Sequence, residues 1–132
     1  MFRLGFVREP EIGHEPYVGK LAIPYLTPSG PIDIRFRSLN SDGGPKYMSR
    51  PGATTHIFNI GALAADSDLL VICEGELDTV VATQAGFNAV GLPGANNWKS
   101  FYSRVLADWN KVILLCDGDN AGREMAKNLS RE

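Results

Sequence analysis

Two short acidic runs hold the side chains of this sequence best suited to chemistry. Glu74-Gly75-Glu76-Leu77-Asp78 follows the apolar run Leu69–Cys73, and Asp117-Gly118-Asp119-Asn120-Ala121-Gly122 follows the apolar run Val112–Cys116. Three carboxylates, Glu74, Asp117 and Asp119, cannot crowd together in ionised form without a compensating cation. Oxygen donors with no His or Cys at a useful spacing favour a hard ion, Mg²⁺ or Mn²⁺. Magnesium held by a few carboxylates, its other positions left to water and phosphate, is the layout of phosphoryl-transfer sites. One such acid would read as a helix cap or first-turn residue, and Asp119 and Glu76 both stand where that role is served. Two acid-rich junctions after the two most apolar runs favour the metal site.

These acids need strands that end side by side. From Asp68 onward the pattern alternates strand and helix. Leu69–Cys73, 88–92 and 112–116 read as strands, the first and third as buried ones. Leu77, Val80, Val81 and Gln84 have helical spacing that stops at Gly86. Trp98, Phe101, Tyr102, Val105, Leu106 and Trp109 form a helical stripe suited to core packing, with Asn96 or Asn97 as its cap, and residues 120–131 form a last helix with Met125 and Leu129 inward. This alternation predicts an α/β, Rossmann-like parallel sheet with right-handed crossovers and helices on both faces. Ligands of such sheets bind beyond the carboxyl ends of the strands, where strand order reverses. With the order second, first, third, Glu74, Asp117 and Asp119 converge there. Alignment of Glu74 with Asp117 would also set Cys73 beside Cys116, as two reduced, buried thiols without zinc.

The first half has another character. Leu21–Leu26 and Ile32–Leu39, joined by a loop of about five residues at 27–31, predict a β-hairpin, and Pro24 places its first strand at a sheet edge. Ile32, Ile34 and Phe36 alternate with Asp33, Arg35 and Arg37, giving one apolar and one mostly basic face. Residues 1–60 hold seven Lys/Arg against five Asp/Glu, and residues 61–132 hold six against ten. The 132 residues, 44% hydrophobic and 21% charged, suit a folded protein that needs no disulfide framework, and two cysteines cannot build a four-cysteine zinc ribbon. No apolar run approaches the roughly 18 residues of a membrane span, and the apolar part of the N-terminus is too short for a signal peptide, so a cytoplasmic protein is expected.

The Glu74-Gly-Glu-Leu-Asp78 run, the helix stopping at Gly86, and Asp117-Gly-Asp119-Asn-Ala-Gly122-Arg123 together resemble the TOPRIM domain of bacterial-type primases, topoisomerases and some nucleases. Gly19–Tyr25, Ile32–Leu39 with Arg37, 45–51 (PKYMSRP) and 56–63 (HIFNIGAL) resemble the segment preceding TOPRIM in bacterial and phage DNA primases. The resemblance implies a β-rich lead-in over 1–66 and a TOPRIM domain over 67–132. It implies primer synthesis from ribonucleoside triphosphates on a single-stranded DNA template, in a bacterial host's cytoplasm if phage-encoded. Glu74 would bind metal or act as general base, Asp117 and Asp119 would hold Mg²⁺ or Mn²⁺, and Asp78 would support them. Arg37, Lys46, Arg50 and Arg123 would contact nucleic acid or nucleotide. The family's zinc ribbon and further acidic motif have no counterpart before Glu132. The expectation is therefore a truncated core that works with a replicative helicase or a second primase polypeptide. A TOPRIM-class nuclease and a catalytically incomplete module that binds nucleic acid or a replisome partner stay open.

Overall fold

The turn-rich first half and the alternating second half fold as separate units, Met1–Thr54 and Thr55–Glu132. The computed structural model describes residues 2–40, 43–93 and 99–130 of them. The division falls ahead of 66/67 because Ile57, Ala62 and Leu63 pack against the second unit's core, and Phe58 exchanges backbone hydrogen bonds with Gly91 at 2.9 and 3.0 Å.

Four antiparallel strands form the first unit's sheet: β1 (Gly5–Phe6), β2 (Lys20–Thr27), β3 (Gly30–Ser38) and β4 (Tyr47–Ser49), in the order β1-β2-β3-β4. The β2–β3 hairpin is tighter than the spacing predicts. Thr27 pairs with Gly30 around the two-residue loop Pro28-Ser29, the Thr27 hydroxyl donates to the Gly30 carbonyl at 2.9 Å, and Gly30 takes a φ of +120° that disfavours other residues. The edge expected from Pro24 is also corrected, because β2 lies between β1 and β3. The proline is tolerated because β1 pairs only at Ala22 and Leu21. The Lys20 carbonyl accepts from Val7, so even-numbered residues of β2 turn their backbone groups towards β1, and at Pro24 that side has no ladder to interrupt. On β3 only Phe36 is fully buried, stacked on Tyr17 at 3.9 Å, while Ile32 is exposed. The opposite face is no purely solvated one either, since Ile23, paired with Arg35, is buried.

The second unit builds a parallel sheet from β5 (Leu69–Cys73), β6 (Ala89–Gly91) and β7 (Lys111–Leu115), in the order β6-β5-β7. This is the order on which convergence of the acidic runs depends, with the acid-terminated strands β5 and β7 adjacent. Helices cover both faces. Val71 and Cys73 of β5 cluster with Ala82 of α1 (Glu76–Gln84) and Ala89. Leu70 and Ile72 cluster on the other side with Val90, Leu92, Tyr102 of α2 (Tyr102–Leu106) and Met125 of α3 (Asn120–Leu129). Gly86 follows α1 with φ +91°, as the stop signal requires.

Several details depart from the periodicity. Helix α1 buries Glu76, Thr79 and Ala82, and Val81 is 64% exposed. At Thr79 the space beneath the helix is narrow: a β-carbon at Gly91 would stand 2.6 Å from the Thr79 hydroxyl. Helix α2 has five residues and no side-chain cap, and Asn96, Asn97 and Trp98 lie outside the described residues. Strand β7 is not buried. It is an edge strand whose Ile113 and Leu115 are 38% and 50% exposed, because α1 packs over β5 and β6. Beside it, α2 and α3 leave an apolar groove of about 450 Å³ lined by Ile72, Leu106, Val112, Leu114 and Leu129.

The β5–β7 register pairs Cys73 with Leu115, one residue from the alignment that would set Glu74 beside Asp117. That offset sends the two cysteines to opposite sides of the sheet. Cys73 is buried under α1, while Cys116 is half-buried against the α2–α3 cluster. Burial pushes both thiols up from their ordinary value; the charges of Asp78 and Cys116 add to this at Cys73 against a Thr79 hydrogen bond, and Glu74 and Asp117 add to it at Cys116. A thiol reagent at pH 8 should find two free groups, Cys116 reacting first and Cys73 only as the domain opens. Both rates should climb as pH rises beyond about 9, because the thiolate is the reactive form. Equal rates, or no free thiol without reductant, would contradict the offset register.

Candidate metal and nucleic-acid site

The ladder between β5 and β7 continues past both strands. The Glu74 amide donates to the Leu115 carbonyl at 3.3 Å, and the Asp117 amide then donates to Glu74 Oε2 at 3.1 Å. A side-chain carboxylate thus takes the place of the next backbone acceptor. It holds the two acid-bearing segments together at the carboxyl end of the sheet, and a charged acceptor makes this bond stronger than a neutral pair.

Asp119 is the N-cap of α3, its Oδ1 accepting from the Gly122 amide at 2.9 Å. Arg123, one turn on, donates from Nη2 to the Gly118 carbonyl at 2.7 Å and so braces the Asp117-Gly118-Asp119 turn from the helix side. Gly122 is the residue that allows this approach. A β-carbon there would overlap the Asp117 carbonyl oxygen and stand 3.0 Å from the Asp117 carbonyl carbon and amide nitrogen. On the other strand Asp78 sits in the first turn of α1 with its carboxylate folded over Gly75, 2.7 Å from where a β-carbon would lie. Glu76, read as a first-turn acid, does lie in that turn but is 1% exposed.

The structure therefore joins Glu74 to Asp117 directly and ties Asp119 to the same turn. Their donors suit a hard divalent cation: all are carboxylate oxygens, and Glu74 and Asp119 each spend one oxygen on a backbone amide. Among the described residues no three Asp, Glu, His or Cys side chains are gathered into a group able to hold a metal ion. Gly122 is a position whose part periodicity does not show, because the close contact it permits lies between a helix and a strand end.

The basic residues of the first unit form a group of their own. Arg37 pairs across the sheet with Tyr47 and donates from Nη1 to its hydroxyl at 2.9 Å. The Arg35 guanidinium lies over the same ring, 4.4 Å from its centroid, and Lys46 Nζ lies 5.9 Å from it. Arg50 is drawn off by Asp33, which accepts from its Nη2 at 2.9 Å and Nε at 3.2 Å. A polar pocket of about 500 Å³ opens beside this group, lined by Arg37, Ser38, Asn40, Gly43 and Lys46 among others. The alternation of β3 puts Arg35 on the basic face with Arg37, but the part of Tyr47 follows only from its cross-strand register with Arg37.

Substitutions separate the cap from the charge at Asp119. Asp119→Ala should cost about 1 kcal/mol in urea unfolding, and Asp119→Asn only a few tenths, since asparagine caps as well as aspartate. Asp119→Asn should nonetheless weaken Mn²⁺ binding measured by calorimetry. Gly122→Ala should destabilise by about 2 kcal/mol or more, because a backbone atom rather than a flexible side chain must move.

The Toprim-like family model matches residues 71–132, the half that carries both acidic runs. The Gene 57 protein of Mycobacterium phage D29 is 39% identical over 120 residues, 87% of this chain and 78% of that protein. The Aquifex aeolicus primase, solved as its zinc-binding and RNA polymerase domains, superposes with a TM-score of 0.71 at 25% identity over 91% of this chain and 33% of that one. The DnaG primase catalytic domain bound to single-stranded DNA gives 0.64 at 26% identity over 86% and 38%. This chain spans a third or a little more of those solved primases. Described residue by residue or matched as a whole, the acid-bearing sheet leads to one assignment: the chain belongs to the Toprim-like family and has the fold of a DnaG-type primase catalytic core.

Proposed function

We propose that this chain is the catalytic core of a DNA primase, making short RNA primers on single-stranded DNA by metal-dependent nucleotidyl transfer during replication. The observation that carries the reading is the bond from the Asp117 amide to the Glu74 carboxylate, which fastens two acid-bearing strand ends at the crevice where such sheets bind ligands. The similarity to primase cores over nearly the whole chain supports it.

In this reading Glu74 keeps one oxygen on the Asp117 amide and presents the other to the attacking 3′-hydroxyl, as proton acceptor or as metal ligand. Asp117 and Asp119 supply the remaining anionic oxygens, Asp119 from a position fixed by its cap. Glu74, Asp117 and Asp119, with Asp78 in support, would hold a divalent ion, which would supply charge neutralisation at the triphosphate and the leaving pyrophosphate. Arg123 holds the turn through Gly118, so its part is to keep Asp117 and Asp119 in place as well as to face nucleotide. Arg37 and Lys46 bind template phosphates or the incoming nucleotide, and Arg50, engaged by Asp33, contributes less. The substrates are ribonucleoside triphosphates and a single-stranded template, and the partners are a replicative helicase or a second primase polypeptide in the cytoplasm of a bacterial host.

Labelled ribonucleotides offered with a single-stranded template and Mg²⁺ or Mn²⁺ test the reading. Template-dependent incorporation by the chain together with its helicase or second primase polypeptide, reduced about 100-fold or more by Glu74→Gln, is the expected result, a loss in the range found when a positioned proton acceptor is removed. Cleavage of the template in place of synthesis would assign the chain to the nucleases. Metal and DNA binding without either reaction would make it a binding module.

A further inference from the structure

Three cations converge on one aromatic ring in the first unit. Arg35 and Arg37 stand two residues apart on β3 and so share a face, and Tyr47 on β4 is the register partner of Arg37. The ring lies 4.4 Å from the Arg35 guanidinium carbon, 5.3 Å from that of Arg37 and 5.9 Å from Lys46 Nζ. Its hydroxyl takes a hydrogen bond from Arg37 as well. Neighbouring cations repel, and long side chains on a strand sample many rotamers. A ring face attracts cations within about 6 Å, and a hydrogen bond fixes the orientation of the fork it joins.

We propose that Tyr47 is a positioning residue that holds Arg35 and Arg37 in place as one phosphodiester-binding pair, with Arg35 in the part that sequence reasoning gave to Arg50. The Asp33–Arg50 ion pair offsets the charge of Arg50 on the same sheet. The polar pocket bordered by Arg37, Ser38, Gly43 and Lys46 continues the cationic surface from the ring. Fixing two guanidiniums before the ligand arrives removes rotamer entropy that binding would otherwise cost, so the effect appears in affinity for a polyanion. The ligand is the sugar-phosphate backbone of a single strand, which the ring-held forks meet through paired N–H donors. The inference rests on the nucleic-acid reading of this face and is independent of the acidic residues of the second unit.

Binding of fluorescein-labelled oligo(dT) to the full chain, followed by anisotropy from 20 to 200 mM salt at about neutral pH, tests it. Tyr47→Leu should weaken binding about tenfold at 100 mM salt and flatten the slope of log K against log salt by about 0.7 for each phosphate no longer neutralised. Arg35→Gln should weaken binding about fivefold in the parent chain and less than twofold in the Tyr47→Leu background, since coupled residues are not additive. Tyr47→Phe keeps the ring. It should keep the Arg35 ring contact and remove the Arg37 bond, a change of about threefold, and it carries the cycle, with Arg37→Gln, if the leucine variant melts early. Additive losses for Tyr47 and Arg35, an unchanged salt slope, or no binding by the parent chain at 20 mM salt would overturn the inference. Ribonucleotide incorporation measured on the same proteins keeps the two readings apart. Coupled binding without incorporation would leave Tyr47 its role and remove the primase assignment, and incorporation with uncoupled binding would do the reverse.

Discussion

Helix α3 approaches the end of β7 so closely that residue 122 has room only for hydrogen at its α-carbon. The arrangement of the acidic end of the sheet follows from that contact. The helix start is pressed against the Asp117 backbone, so Asp119 becomes its cap, Gly122 offers the capped amide, and Arg123 reaches back to the Gly118 carbonyl. From the other side Glu74 accepts the Asp117 amide. The turn between strand and helix is thus held at both ends by bonds that involve charged side chains and backbone groups. Such an anchorage ties the two acidic segments to one another beyond the ends of their strands.

The same pattern answers the electrostatic difficulty of the site. Carboxylates at neighbouring strand ends need donors to face before any ligand arrives. Here backbone N–H groups are those donors, one for Glu74 and one for Asp119, the latter at a helix N-terminus where the aligned peptide dipoles favour negative charge. The cationic face of the first unit meets the opposite problem by other means. Arg35, Arg37 and Lys46 lie around the Tyr47 ring, and Arg50 is paired with Asp33. In each unit charged side chains thus have fixed partners: backbone amides for Glu74 and Asp119, the Tyr47 ring for Arg35 and Arg37, and a carboxylate for Arg50.

Strand β5 has a different part. Its alternate residues feed two separate clusters, Val71 and Cys73 under α1, and Leu70 and Ile72 under α2 and α3. It is central, and it looks buried in sequence because it is. Strand β7 has the same kind of composition but lies at the edge, with Ile113 and Leu115 open on the α1 side. Composition reports that a segment can be buried. Whether it is depends on a neighbour further along in space.

That distinction separates what local pattern carried from what it could not. The strands Leu69–Cys73 and 112–116, the α/β alternation, and the acids at the two strand ends were legible. Each is an effect of residue type acting on its own few neighbours, or of the handedness of strand–helix–strand connections. The hairpin was legible too, though not its two-residue loop, since Gly30 could as well have been loop as ladder. The one-residue offset between Cys73 and Cys116, the exposure of β7, the close fit of Thr79 over Gly91 and the placement of Arg35 over the Tyr47 ring were not. All four depend on distances between segments far apart along the chain. A shift of one residue in a strand pair turns side chains to the other face without changing the sequence, and a glycine that admits a helix looks the same, read along the chain, as one that only bends a turn. Residue chemistry nominated the acids for this site; packing decided which of them meet, and through which atoms.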